Sequence, residues 1–275
     1  MKISLILKLT LITFFIALFG VVLAFQNIST NIFLWEFQFS WKIILFLIFI
    51  LLIYSSRLSS LKEFVVSNLK NFNLKNVIAY LIIPLIASFL LLLIGITFGE
   101  IQTGEIKDFT LFVFGIIFDF PAIWLFSITI ILIEEIIFRG IILSEFTKSG
   151  KIAAFIIPNL LFTLYYSDEF ILQILKETNI VWSNISLLAS YYFFSGIIAT
   201  LIVSKFATIW ESYSLRVGIV SFSQIISTSI IYDGNSYFIT KNSIFMVEGI
   251  IFLFLLLVLI FFYNWTQSFT INKRS

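Results

Sequence analysis

Phe120-Pro-Ala-Ile-Trp-Leu-Phe-Ser-Ile-Thr-Ile-Ile-Leu-Ile-Glu134-Glu135-Ile-Ile-Phe-Arg139-Gly140-Ile-Ile-Leu143 is the stretch that decides the fold. It exceeds the roughly 20 residues that an apolar helix needs to cross a hydrocarbon core. Apart from Glu134, Glu135 and Arg139 it has no ionisable group, so it lacks the polar face of a surface helix. The whole chain agrees. Of its 275 residues 60% are apolar and 12% charged, with a mean hydropathy of +1.10. A soluble domain has about a quarter of its residues charged. So few charges cannot cover a globule, and so much apolar content excludes disorder. The solvent for this chain is a bilayer.

Working outward, further apolar runs occupy about 5–25, 41–54, 77–98, 151–166, 185–204, 216–232 and 243–263. With 120–143 they predict an all-α, polytopic membrane helix bundle of about eight transmembrane helices. The second run extends upstream through Phe33 to Phe39. The first is longer than a signal-peptide core, and no small-x-small site follows it, so it reads as an uncleaved span. The run 109–118 is too short to span and reads as an interfacial or re-entrant piece. Asp119 then caps the following helix, with Pro121 in its first turn. No Pro-, Gly- or Ser-rich linker divides the chain and no internal repeat is visible. The expectation is one integral membrane domain over 1–275.

Basic residues set the orientation. With the N-terminus inside, eleven fall on the inner side: Lys2, Arg57, Lys62, Lys70, Lys75, Lys148, Lys151, Lys205, Arg216, Lys273 and Arg274. Four fall outside: Lys42, Lys107, Lys176 and Lys241. Acids gather on the outer side, at Glu36, Glu100, Glu105, Asp108, Asp168, Glu169, Glu177 and Asp233. Both termini are therefore expected inside. The basic loop 55–76 is a topology signal, or a surface for anionic lipid headgroups.

The chain has no cysteine and no histidine. Disulfides, thiolate catalysis and the commonest metal ligands are excluded, and neither a cofactor nor a metal is expected. A net charge of +2 gives no footprint for nucleic acid. The abundance of Phe, Ile, Asn and Lys fits an AT-rich genome, hence a bacterial cytoplasmic membrane. Oligomeric state is not set by anything in the sequence.

The charges inside 120–143 need a reason, because each costs about 2.5–3.5 kcal/mol at a helix centre. Glu135 and Arg139 are i,i+4 with the acid first, which places them on one face as a pair. Glu134 lies about 100° round the helix and is left over, a carboxylate free to act as a general base. Two other readings stand beside this one. The charges lock helices together without chemistry, or Arg139 snorkels to the inner interface. Asn159 and Gln224 read as interhelical hydrogen bonders, Gly196 and Ala199 as close-packing positions, and Glu248 as reaching polar surroundings near a span end.

Glu134-Glu135-x-x-x-Arg139-Gly140 in an Ile-rich membrane helix resembles the first motif of the CAAX protease and bacteriocin-processing (CPBP) family of intramembrane proteins. The resemblance covers about 120–232. Phe162-x-x-x-Tyr166 is similar to the second motif, Ser195-Gly196 to the small-residue helix that follows, and 214–226 to the third motif region. Tyr166 stands where the family has a His, Phe222 at a second His and Ile226 at an Asn. The resemblance implies an endopeptidase of the prenyl-protein or bacteriocin-leader type, with Glu134 activating water. In such an enzyme Glu135 and Arg139 would orient Glu134, and Tyr166 would stabilise charge. The lost imidazoles favour a different outcome, a non-catalytic member (a pseudoenzyme) that binds a membrane-embedded peptide or protein. Bacteriocin immunity belongs to that second kind of work. A small transporter with the glutamates as ion sites ranks third, since no inverted repeat supports it.

Overall fold

The computed structural model describes residues 3–26, 32–54, 69–70, 72–103, 120–176, 182–206, 208–226, 238–240 and 249–272. The 109–118 piece, Asp119, most of the 55–76 loop and Glu248 lie outside the described residues. So do the loops with Glu105, Asp108, Glu177 and Asp233, and the side chains of Phe222, Gln224 and Ile226.

The described chain is helical almost throughout. Its elements are α1 (Ile3–Gln26), α2 (Ile32–Ile53), α3 (Leu74–Thr97), β1 (Ile101–Thr103), α4 (Phe120–Glu135), a π-helical stretch (Ile136–Ile142), α5 (Leu143–Thr147), α6 (Lys151–Tyr165), α7 (Ser167–Lys176), α8 (Trp182–Phe206), α9 (Trp210–Ile226), β2 (Phe238–Thr240) and α10 (Ile250–Asn272). Among the described residues three segments are long and apolar enough to cross a membrane: Leu5–Val22, Leu74–Thr97 and Ile185–Lys205. Lys42–Ile53, Lys151–Tyr165 and Ile250–Thr266 are shorter apolar helices. α2 begins at Ile32, the upstream extension expected for the second run.

Backbone contacts group the chain into two compact units. The first comprises Met1–Phe72 and Phe126–Tyr213. Here α1 packs on α2, α6 and α7, and α8 lies along α6. The helix faces explain why. α1 buries Leu9, Thr13, Ile16 and Ala17 while Leu7, Leu11, Phe14 and Phe15 stay exposed. That is one protein-facing stripe on an otherwise lipid-compatible helix. The Thr13 hydroxyl is satisfied within the helix by Leu9 O at 2.7 Å. α2 buries Lys42, Ile43, Phe46 and Ile50, again at helical spacing. Phe46 stacks on Tyr165 with ring centroids 5.2 Å apart and meets Phe138 at 5.4 Å, tying α2, the π stretch and α6 into one apolar core.

The second unit comprises Asn73–Leu125 and Ser214–Ser275. Asn73 caps α3, its Oδ1 accepting from Lys75 N at 3.1 Å and Asn76 N at 3.4 Å. At the other end Glu100 N donates to Gly95 O and Gly99 N to Ile96 O. This double closure needs a left-handed residue, and Gly99 supplies it at φ +72°. The chain then enters β1, which pairs antiparallel with β2 in the register Ile101↔Thr240. This small ribbon was not expected from the sequence. α10 packs along α3, where Tyr80 Oη donates to Asn264 Oδ1 at 3.2 Å and Tyr263 Oη to Asn76 Oδ1 at 3.0 Å.

Three other features differ from expectation. The span read as one helix over 120–143 changes at Glu135 from α to π geometry for seven residues. The last turn of α6 is followed at once by α7, which composition did not suggest. α9 starts at Trp210 rather than 216, with the Thr208 side chain capping its first turn. Thr208 Oγ1 accepts from Trp210 N at 3.1 Å and donates to Glu211 Oε2 at 2.9 Å.

Candidate functional site

The site lies in the first unit, where the end of α4 and the π stretch meet α6, α8 and the first turn of α9. Glu134 and Glu135 are fully buried and Arg139 is 1% exposed. Three ionisable groups withdrawn from solvent must be compensated by neighbours, because an uncompensated buried charge costs several kcal/mol.

Arg139 is the centre of one network. Its Nε stands 3.9 Å from Glu135 Oε2. That makes an ion pair, but the distance is too long for a hydrogen bond. Its Nη2 donates to the Gly196 carbonyl at 3.1 Å and to Asn159 Oδ1 at 3.4 Å. Asn159 is itself fixed, its Nδ2 donating to Phe155 O at 2.6 Å and its Oδ1 accepting from Thr200 Oγ1 at 3.2 Å. The guanidinium carbon lies 4.5 Å from the Phe162 ring centroid, a cation–π contact. Glu135 Oε2 accepts a hydrogen bond from the Ser212 hydroxyl of α9. Arg139 therefore ties the π stretch to α6 and α8, and does not snorkel to an interface. Gly196 is needed for space: a Cβ there would stand 2.7 Å from Asn159 Oδ1 and 3.1 Å from Arg139 Nη2. The helix-packing reading of Gly196 and the hydrogen-bonding reading of Asn159 both match this geometry.

Glu134 belongs to a second network. The Tyr166 hydroxyl lies 2.9 Å from its Oε1 and 2.8 Å from its Oε2. A phenol carries one proton, so it donates to the carboxylate as a bifurcated bond. The Tyr166 ring is stacked on Tyr192 of α8, with centroids 4.3 Å apart and planes 8° from parallel. Thus Tyr166, which the motif resemblance sets where a His is expected, meets Glu134 across 32 residues of sequence. An imidazole there could take up a proton at a ring nitrogen. A phenol donates one and supplies an electrostatic cap.

Beside this pair lies an ion pair that sequence analysis did not anticipate. Lys42 and Asp168 were counted separately among the charges of the outer side. Both are in helices and buried, with Lys42 Nζ 2.7 Å from each Asp168 oxygen. Arg216, counted on the inner side, is likewise buried within α9. Ser212, Thr200 and Tyr192 were also missed. Small hydroxyl residues and one aromatic in apolar helices carry no distinguishing signal. Among the described residues no group of three or more His, Cys, Asp or Glu could hold a metal ion.

Comparison with known proteins adds one match. No curated protein and no solved structure matches the chain. A family model does: that described as Rce1-like, type II CAAX prenyl endopeptidase, matches residues 117–222. The match takes in α4 to α8 and most of α9, and it stops before Ile226. With its long apolar helices the chain is an integral membrane protein. Over residues 117–222, the stretch that carries Glu134, Glu135, Arg139 and Tyr166, it is similar to the Rce1-like family, in line with the motif resemblance.

Proposed function

We propose that this is a non-catalytic Rce1-like protein, which binds a membrane-inserted peptide or protein segment without cleaving it. The observation that carries the reading is the Tyr166 hydroxyl on both oxygens of Glu134. A general base must reach the water it deprotonates, and here the carboxylate is met by a donor whose ring is stacked in place on Tyr192. The chain has no imidazole anywhere to share the proton. In this reading Glu134 and Tyr166 are the remnant of the catalytic pair, and Glu135 and Arg139 hold the helix that presents them. Of the two roles tied to the resemblance, peptide maturation and bacteriocin immunity, only the second can proceed without hydrolysis. The apolar runs support eight spans and the basic-residue bias supports both termini inside, and the composition supports a bacterial cytoplasmic membrane.

The test is turnover. Purified full-length chain in liposomes is given prenylated and leader-type peptides, beside Glu134→Gln and Tyr166→His variants. The expected result is no cleavage that depends on Glu134, and less than one zinc per chain by elemental analysis. The donors available are carboxylates, amides and hydroxyls, which bind zinc weakly outside a multi-carboxylate cage. Reproducible cleavage by the natural chain that Glu134→Gln abolishes would overturn the reading and make the protein an endopeptidase.

A further inference from the structure

The Glu134–Tyr166 contact is held from a side of the site that the family match does not reach. Tyr166 is the single residue between α6 and α7, with its backbone at φ −90°, ψ 7°. Two residues on, Asp168 receives Lys42 Nζ on both carboxylate oxygens, each at 2.7 Å. The same ammonium stands 4.1 Å from the Tyr165 ring centroid and 5.4 Å from that of Tyr166. On its other side the Asp168 carboxylate is packed against Gly20 of α1, where a methyl group would collide with it. The turn that carries the phenol is therefore clamped between α2 and α1. An ion pair this deeply buried is a poor source of net stability but a strong geometric constraint, because neither charge tolerates losing the other.

We infer that Lys42 and Asp168 are positioning residues for Tyr166. The ion pair sets the α6–α7 turn, the turn sets the phenol, and the phenol caps the Glu134 carboxylate. The inference rests on the reading of Glu134 and Tyr166 as the centre of the site. It gives that site a control point on α2, far outside the matched residues 117–222.

The experiment uses dicyclohexylcarbodiimide, a membrane-soluble reagent for carboxyl groups, on the full-length chain in liposomes. Fragment mass spectrometry reads the ratio of adduct at Glu134 to adduct at Glu135. Tyr166→Phe should raise that ratio about tenfold, the factor that loss of a charge-assisted hydrogen bond implies. The double variant Lys42→Met with Asp168→Leu removes both charges and leaves no orphan. It should raise the ratio to the same level, with no further rise when Tyr166→Phe is added. Lys42→Arg should keep the natural ratio. If that double variant fails to fold, Lys42→Met with Asp168→Asn, which keeps the shape of residue 168 and also leaves no charge unpaired, gives the answer. A natural ratio in either folded double variant or in Tyr166→Phe overturns the inference, as does a raised ratio in Lys42→Arg. Cleavage in the turnover test would instead remove the non-catalytic reading and leave this clamp standing.

Discussion

Two glycines of the same site should respond oppositely to the same substitution. In Gly196→Ala the added methyl would meet Asn159 Oδ1 at 2.7 Å and Arg139 Nη2 at 3.1 Å, both inside ordinary contact distance. Neither neighbour can yield cheaply. Asn159 is anchored to Phe155 O at 2.6 Å, and Arg139 to the Gly196 carbonyl itself at 3.1 Å. Overpacking costs about 1–3 kcal/mol, and a lost hydrogen bond to a charged group about 1.5–3 kcal/mol. Together these give roughly 3–5 kcal/mol, which lowers the melting temperature on the order of 10 °C. At Gly140, within the motif, the nearest atom to an added Cβ is the Glu135 carbonyl at 3.9 Å, an ordinary contact. Gly140→Ala should be neutral or stabilising by up to about 1 kcal/mol, because alanine loses less backbone entropy in a helix. Detergent melting of the two purified variants checks this. Equal shifts, or a Gly196→Ala protein as stable as the parent, would refute the account of Gly196 as room for the arginine.

Arg139→Met should destabilise more than the double change Glu135→Leu with Arg139→Met, since the single variant leaves a buried carboxylate with Ser212 as its named donor, at about 3–5 kcal/mol. A double-mutant melting cycle measures the coupling, and simple additivity would mean the two residues are not partners. Tyr80→Phe and Tyr263→Phe each remove one hydrogen bond between α3 and α10. Each should cost only about 0.6 kcal/mol, the size typical of such bonds in membranes. A loss of several kcal/mol in refolding equilibria would contradict that. Single cysteines placed in this cysteine-free chain at Lys70 and Lys148, both exposed, should label from the cytoplasmic side, and one at Glu100 from the outside. External labelling at 70 would reverse the orientation.

What could be read in the sequence depended on the distance over which each interaction acts. α1 and α3 are legible because hydropathy summed over a window reports a span whatever the neighbours are. Glu135 and Arg139 are legible because helical spacing puts them on one face. The Tyr166–Glu134 contact crosses 32 residues, and no periodicity reports it. Only the resemblance of two motifs brought those positions together. The π geometry of Ile136–Ile142 has no compositional mark. The start of α9 is marked by Thr208, a capping residue, yet a hydropathy threshold passes over a helix cap. Lys42 and Asp168 were misread for a related reason. Each sits at the margin of an apolar run, where counting by sidedness treats charges as independent, while in the fold each exists for the other.

That ion pair also bears on how the chain is made. Lys42 and Asp168 are 126 residues apart. At about 5–20 residues per second, α2 waits roughly 6–25 s for its counter-ion to leave the ribosome. Lys42 stands at the start of the apolar run but midway along α2 (Ile32–Ile53), where a lysine costs about 2.5–3.5 kcal/mol, so during that interval α2 is held less firmly in lipid. Chains that stop short of residue 168 would carry an uncompensated cation in α2, and a membrane quality-control protease could recognise them by that feature alone.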